Sequence, residues 1–317
     1  MSTRMRIYTN SVFYRHDTGP GHPETATRLD AAFEGVRRAG MLREIVRDAP
    51  EHPDTNRIIT RVHIPHYVEQ FAATAGGGAR LFQSLDNPIS SDSYRAARLA
   101  VATALDAADD VWIRQRTRRA FVVARPPGHH AERAEALGFC FFNTIACVAE
   151  FLREVAAVER VLIFDWDVHH GNGTQHIFEE RDDVFYVSTH QYPFYPGTGA
   201  AEEIGTGMGR GMTRNFPLPA GSGDAAYLRV VEEQVIPLVD EYCPGAILIS
   251  AGFDAHRRDP LADMQVTERA FGEISRRMIE AADRHCGGRI LSLLEGGYDP
   301  EGLAASVMEH LAAGGQS

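Results

Sequence analysis

The sequence has no CxxC pair, no internal repeat, no linker long enough to split it, and no apolar run approaching the length that spans a bilayer. Its four cysteines, Cys140, Cys147, Cys243 and Cys286, are too scattered for a disulfide framework, so reduced and mostly buried thiols are expected. The first residues, MSTRMRIYTN, lack the apolar core of a signal peptide, and an intracellular, cytoplasmic protein is expected. Basic residues are outnumbered, 32 against 43 acidic, for a formal charge of -11. That sign disfavours direct binding to nucleic acid or to an anionic membrane, since both need a positive face, and it tolerates cationic partners. What remains, 317 residues at 44% hydrophobic and 24% charged, is the composition of an ordinary globular protein with enough chain for a large core. A single domain over residues 1–317 is expected, and a homo-oligomer is compatible with it.

Five short apolar runs read as strands: RAFVVA (119–124), RVLIFDWDV (160–168), VFYVST (184–189), GAILIS (245–250) and RILSLL (289–294). Amphipathic stretches between them read as helices: NTIACVAEFLREVAA from Asn143, DAAYLRVVEEQVIPLVDEY from Asp224, and TERAFGEISRRMIEAADRH from Thr267. In the last, Phe271, Ile274, Met278 and Ala281 recur close to helical spacing. AATAGGGAR, residues 72–80, reads as a surface loop. Continuous apolar strands alternating with helices predict an α/β domain, with a mostly parallel sheet covered on both faces.

Each run is followed by polar chemistry: RPPGHH, DWDVHHGN, THQYPFYPGTG, AGFDAH and EGGYDP. In open α/β sheets ligands sit outside the carboxyl ends of the strands, so five such endings predict one site on one sheet edge. In DWDVHHGN an extended chain would put Asp165, Asp167 and His169 on one face, with Trp166 and Val168 on the other. Two carboxylates and an imidazole on one face form half of a divalent-metal site, to which Asp254 adds a carboxylate from another strand end. The adjacent His129 and His130, after a Pro-Pro-Gly turn, have little use in an ordinary core.

GPGHPE (19–24), RPPGHH (125–130), GFCFFN (138–143), DWDVHHGNGTQ (165–175), YPGTG (195–199), SAGFDAHRRDPLADMQVT (250–267) and LEGGY (294–298) together resemble the zinc-dependent histone deacetylase family. The resemblance is greatest to its class II and bacterial deacetylase-like amidohydrolase branches, and covers roughly residues 16 to 310. It implies an arginase-like α/β fold with a central parallel sheet. It assigns zinc to Asp167, His169 and Asp254, three protein ligands with open positions for water and substrate, as a catalytic zinc needs. It moves Asp165 from the zinc to the side of His129 and to a structural potassium ion. That ion would also take the Ser188 hydroxyl and backbone oxygens around Asp167, His169 and Thr189.

The implied reaction is hydrolysis of the acetyl or acyl amide on the ε-amine of lysine, with zinc polarising the carbonyl and acidifying a water. The tandem histidines would serve as acid and base, His129 paired with Asp165 and His130 with Asn172. A carboxylate partner favours imidazolium and a neutral amide does not, so His129 is expected charged and His130 neutral. Tyr298 would donate to the developing oxyanion, on a loop freed by Gly296 and Gly297. Gly138, Phe139, Tyr195 and Leu261 would line the acyl-lysine tunnel, with Gly138 letting the chain pass close to the substrate stem. Cys140 is expected as a packed thiol, His22 as an organiser of the rim, and Arg28 as a structural ion-pair partner.

The same chemistry would serve an acetylpolyamine or another small N-acetylated amine. Polyamine-selective relatives carry a gatekeeper Glu after the Asp-Pro pair, where this chain has Leu261 after Asp259-Pro260. A catalytically dead acyl-binding fold is disfavoured because both histidines, the tyrosine and all three ligands are present. A two-manganese ureohydrolase would need a second carboxylate-rich site and does not account for His129, His130 and Tyr298.

Overall fold

The computed structural model describes residues 4–314. In chain order its strands are β1 Arg6–Thr9, β2 Ile45–Arg47, β3 Leu81–Phe82, β4 Ser84–Pro88, β5 Arg119–Val122, β6 Val161–Asp165, β7 Val184–Gln191, β8 Thr213–Leu218, β9 Ala246–Ala251 and β10 Ile290–Leu294. Eight form one sheet in the order β2-β1-β5-β10-β9-β6-β7-β8, with every neighbouring pair parallel. β3 and β4 form a separate antiparallel hairpin. Strands β6 (VLIFD), β9 (AILISA) and β10 (ILSLL) are buried at every position, because helices cover both faces of the sheet. Burial on both faces is why these strands read as continuous apolar runs rather than alternating ones.

All five predicted strands are present, and they are the five adjacent strands β5, β10, β9, β6 and β7. The three that were not predicted lie at the sheet's margins. β1 and β2 have 4 and 3 residues, too few to show a period. β8 contains Pro217, which argues against a central strand and is tolerated here because β8 is the sheet edge.

The three predicted helices are also present. Thr144–Glu154 is capped by Asn143, whose Oδ1 accepts the Ala146 N–H at 3.0 Å. Glu268–His285 buries Phe271, Ile274, Met278 and Ala281 as its spacing predicts. The segment from Asp224 to Tyr242 is two α-helices joined by a wide turn at Val231–Val235, just before Pro237, which lacks the N–H an α turn would use. One prediction fails. Residues 72–76 are not loop but the end of the helix Pro65–Gly76, held to the core by Phe71 and Ala75 despite the glycines that follow. No described helix is long and apolar enough to cross a membrane.

Because all eight strands run parallel, their carboxyl ends share one edge. The central neighbours β5, β10, β9 and β6 deliver there, in spatial order, the His129–His130 segment, the Tyr298 loop, Asp254, and Asp167 with His169.

Candidate active site

Strand β6 stops at Asp165 and the next residues turn, so the alternation expected of Asp165, Asp167 and His169 does not hold. The turn instead folds Asp167 and His169 toward Asp254 at the end of β9. His169 Nδ1 lies 3.1 Å from Asp167 Oδ1 and 3.2 Å from Asp254 Oδ2. The three side chains offer ligand atoms all within 4.8 Å of one another. Asp254 Oδ1 accepts the Val168 N–H at 2.9 Å, while its buried Oδ2 takes up no hydrogen bond beyond the close approach of His169 Nδ1. Backbone crowds this cluster closely: a Cβ on Gly252 would lie 2.0 Å from Asp167 Oδ2, and one on Gly296 2.0 Å from Asp254 Oδ2.

The electrostatics fit a cation. Burial and the neighbouring Asp167 push the Asp254 carboxyl up. Against the cost of burial, the carboxylates of Asp167 and Asp254 hold His169 up to about 9. Two buried carboxylates converging on one imidazole, with no further donor to Asp254 Oδ2, are a donor set that suits a divalent ion such as zinc.

Asp165 stands apart from this trio. Its Oδ1 accepts the Asp167 N–H at 3.1 Å, and its Oδ2 faces His129 Nδ1 at 3.0 Å and the Tyr186 hydroxyl at 3.2 Å. Period-two reasoning therefore found the right segment but could not rank its members. Ser188 pairs with Asp165 in the β6–β7 register, and its buried Oγ lies 2.8 Å from His190 Nδ1. Next to it, Thr189 Oγ1 is buried without a partner.

The tandem histidines follow β5. Glu295 Oε2 accepts the N–H groups of Gly128 at 2.7 Å and His129 at 3.2 Å, tying this segment to the Tyr298 loop. Arg28 braces that loop from the other side, donating to the carbonyls of Gly297 at 2.7 Å and of Glu295. Its guanidinium lies 4.8 Å from the Tyr298 ring centre, and it pairs with Glu24 at 3.0 Å, so the expected ion-pair residue also supports the loop. Burial disfavours a charge on His129, but Asp167 and Asp165 overcome it and push it up to about 10. His130 faces Asn172 Oδ1 at 2.8 Å, and burial together with the charges of His129 and His169 pushes it well down. The charged and neutral assignments expected from the partners' chemistry have the same directions.

Above the cluster opens a cavity of about 200 Å³ lined by Asp86, Pro127, His129, His130, Gly138, Phe139, His169, Phe194, Tyr195, Leu261, Gly296 and Tyr298. It gathers every expected lining residue, both histidines and Tyr298. Asn172 and Asp165 sit behind it, each against its histidine. Phe139 and Tyr298 meet edge to face with centroids 6.2 Å apart, and His22 packs on Phe139 at 4.6 Å, at the rim as expected. Gly138 has φ +54°, and a Cβ there would fall 2.4 Å from His130 Cδ2. Its missing side chain thus spares His130, a constraint that the expected substrate stem did not capture. Cys140 is fully buried, and burial raises its thiol well above the usual range, in line with a packed thiol.

Sequence reading missed Asp86 and Phe194. Asp86, in the turn-like SLDNP of β4, accepts the Tyr195 hydroxyl at 3.3 Å at the pocket mouth. Its neighbour Asn87 places it, donating to Ala136 O at 2.7 Å and accepting the Phe139 N–H at 3.2 Å. Nothing local in the sequence signals that long-range contact. Phe194 adjoins Tyr195 and stacks on His169 with centroids 5.4 Å apart; the run QYPFYPGTG drew attention to the segment but not to this ring.

Comparison with known proteins agrees with this geometry. Residues 22–314 match the histone deacetylase domain. The chain is 39% identical over 298 residues to a probable deacetylase of Archaeoglobus fulgidus, covering 93% of this chain and 82% of that one. It is 42% identical over 278 residues to a histone deacetylase-like amidohydrolase of Pseudomonas aeruginosa, covering 87% and 71%. Among solved structures, the HDA15 HD domain superposes with a TM-score of 0.89 at 34% identity, covering 98% of this chain and 88% of that one.

Proposed function

This chain belongs to the histone deacetylase family, and on that premise we propose that it is a zinc-dependent deacetylase acting on acetylated lysine in proteins or peptides. The observation that carries the reading is the pocket itself. Its lining includes Phe139, Phe194, Tyr195 and Leu261, together with two histidines, a tyrosine and His169, the member of the Asp167, His169 and Asp254 trio that reaches the cavity. An acetylated lysine side chain is a neutral, flexible apolar stem ending in an amide, and the apolar lining suits the stem while the polar groups suit the amide.

Zinc held by Asp167, His169 and Asp254 would polarise the amide carbonyl and acidify a water. The remaining work falls to the chain's own residues. His130, neutral and bonded through Nδ1 to Asn172, takes the water's proton at Nε2 and returns it to the leaving amine. His129, held as imidazolium by Asp165 and Asp167, stabilises negative charge as it develops. The Tyr298 hydroxyl donates to the oxyanion. Asp165 and Ser188, with the backbone of the turn after β6, are the proposed seat of a potassium ion.

A second reading, a small N-acetylated amine as substrate, is favoured by the Asp86 carboxylate at the mouth, which would suit a distal ammonium. Leu261 opposes it, being an apolar wall where polyamine-selective relatives place a Glu. The two separate in one experiment: kcat/KM of the zinc-loaded protein for an acetyl-lysine peptide and for acetylspermidine. Preference for the peptide supports lysine deacetylation, and preference for acetylspermidine overturns it in favour of the second reading. All 32 basic residues of the chain are arginine, so it offers no lysine of its own to complicate the assay. Cysteine usage, with Cys243 free and exposed, supports a cytoplasmic, reducing location.

A further inference from the structure

We propose that Glu132 is a positioning residue which, through Asn172, determines which nitrogen of His130 carries the proton. The inference rests on the reading above, in which His130 is the base. Asn172 begins the helix Asn172–Phe178, and that helix start is pressed onto the segment that follows the tandem histidines. The Thr174 N–H donates to His129 O at 3.1 Å, and a Cβ on Gly173 would lie 2.3 Å from Ala131 O. The Asn172 amide therefore sits between His130 and Glu132. Its Oδ1 is 2.8 Å from His130 Nδ1, and its Nδ2 donates to Glu132 Oε1 at 2.6 Å and to His130 O at 3.3 Å.

A side-chain amide has an acceptor end and a donor end, and a half-turn exchanges them. Against the His130 ring alone either end would serve, since a neutral imidazole can donate or accept at Nδ1, and the bond to His130 O, at 3.3 Å, favours the present orientation only weakly. Glu132 breaks that symmetry. The reversed amide would set Oδ1 against a carboxylate oxygen at hydrogen-bond distance, acceptor against acceptor, and would take from Glu132 the donor that now meets it. With the amide fixed, Nδ1 of His130 must donate, so the ring's proton sits on Nδ1 and the lone pair on Nε2.

Glu132 is itself anchored. His176, one turn after Asn172 on the same helix, places Nδ1 2.7 Å from the same Oε1. The Glu132 backbone N–H donates to Glu135 O at 2.9 Å, and its carbonyl is 2.8 Å from His63 Nδ1. Without this carboxylate only the longer bond to His130 O, at 3.3 Å, still orients the amide, so part of it turns and His130 divides between tautomers. In the wrong one Nε2 already holds a proton and cannot take another from water.

The test is ¹⁵N NMR of the imidazoles in the full chain, with His130 assigned by comparison with His130→Asn. The wild type is expected to show His130 in the Nδ1–H tautomer. Glu132→Gln, which keeps the shape but can itself reverse, is expected to show a mixture, as is Glu132→Ala. An unchanged Nδ1–H tautomer in both variants overturns the proposal. This readout needs no turnover, so it stands apart from the fate of the deacetylase reading. In activity, Glu132→Gln is expected to lower kcat about tenfold with little change in KM. That loss should vanish in an Asn172→Asp background, because a carboxylate has no donor end to orient. An equal loss in both backgrounds would mean that Glu132 only supports the local fold, and would overturn the proposal.

Discussion

Replacing Gly138 by alanine should cripple turnover while leaving the fold and the proposed metal ligands in place. A Cβ at this position falls 2.4 Å from His130 Cδ2 and 2.9 Å from its Cγ, where ordinary contact begins at 3.4 Å. The ring must retreat by about 1 Å, a displacement that costs on the order of 10²-fold in rate when it moves a reacting group. It has little room to do so cheaply. His129 lies behind it with ring centroids 4.0 Å apart, Tyr195 meets it edge-on at 5.4 Å, and its bond to Asn172 is already 2.8 Å. The backbone adds a smaller cost, since φ +54° is a conformation alanine adopts with roughly 1 kcal/mol of strain, and so Tm should fall by only a few degrees. The assay is steady-state acetate release from an acetyl-lysine peptide by zinc-loaded wild type and Gly138→Ala, with zinc content and Tm measured alongside. A kcat within about threefold of wild type would refute the reasoning.

Tyr298→Phe removes the proposed oxyanion donor and should lower kcat by roughly 10²–10³-fold, with peptide affinity little changed; full activity would remove Tyr298 from the mechanism. Acid stability should carry the signature of a buried neutral histidine remote from the site. Burial pushes His310 down to about 4, so the unfolded chain takes up this proton first. Its contribution is complete above about 6.5 and is lost as pH falls toward 4. His310→Phe, set among Phe121, Trp166 and Phe253, should lessen the slope of urea midpoints in that range, the rest coming from His16, His63 and His190, which burial also pushes down to about 4, and an unchanged slope would contradict the assignment.

Much of the fold was legible because burial on both faces writes β5, β6, β7, β9 and β10 as unbroken apolar runs. The margins were not, since β2 has only 3 residues and β8 tolerates Pro217 only by lying at the edge. The candidate site divides along the same physical line. His129, His130, Asp167, His169 and Asp254 follow strands directly, so sheet topology brings them together. The order among Asp165, Asp167 and His169 was not readable from a period of two, because the strand ends at Asp165 and a turn replaces it. Asp86 and Glu132 carry no local signal. One reaches the pocket mouth through contacts of its neighbour Asn87 with residues 136 and 139, and the other matters through an amide forty residues away.

The central claim is that Asp167, His169 and Asp254 hold a single ion on which amide hydrolysis depends. It is tested most directly by stripping the protein of metal and titrating zinc back while following acetate release from an acetyl-lysine peptide. Activity should be absent at the start, rise in proportion to added zinc and saturate at about one ion per chain, and Asp254→Asn should not be restored. Undiminished acetate release from the metal-free protein, or saturation only at two ions per chain, would contradict the account.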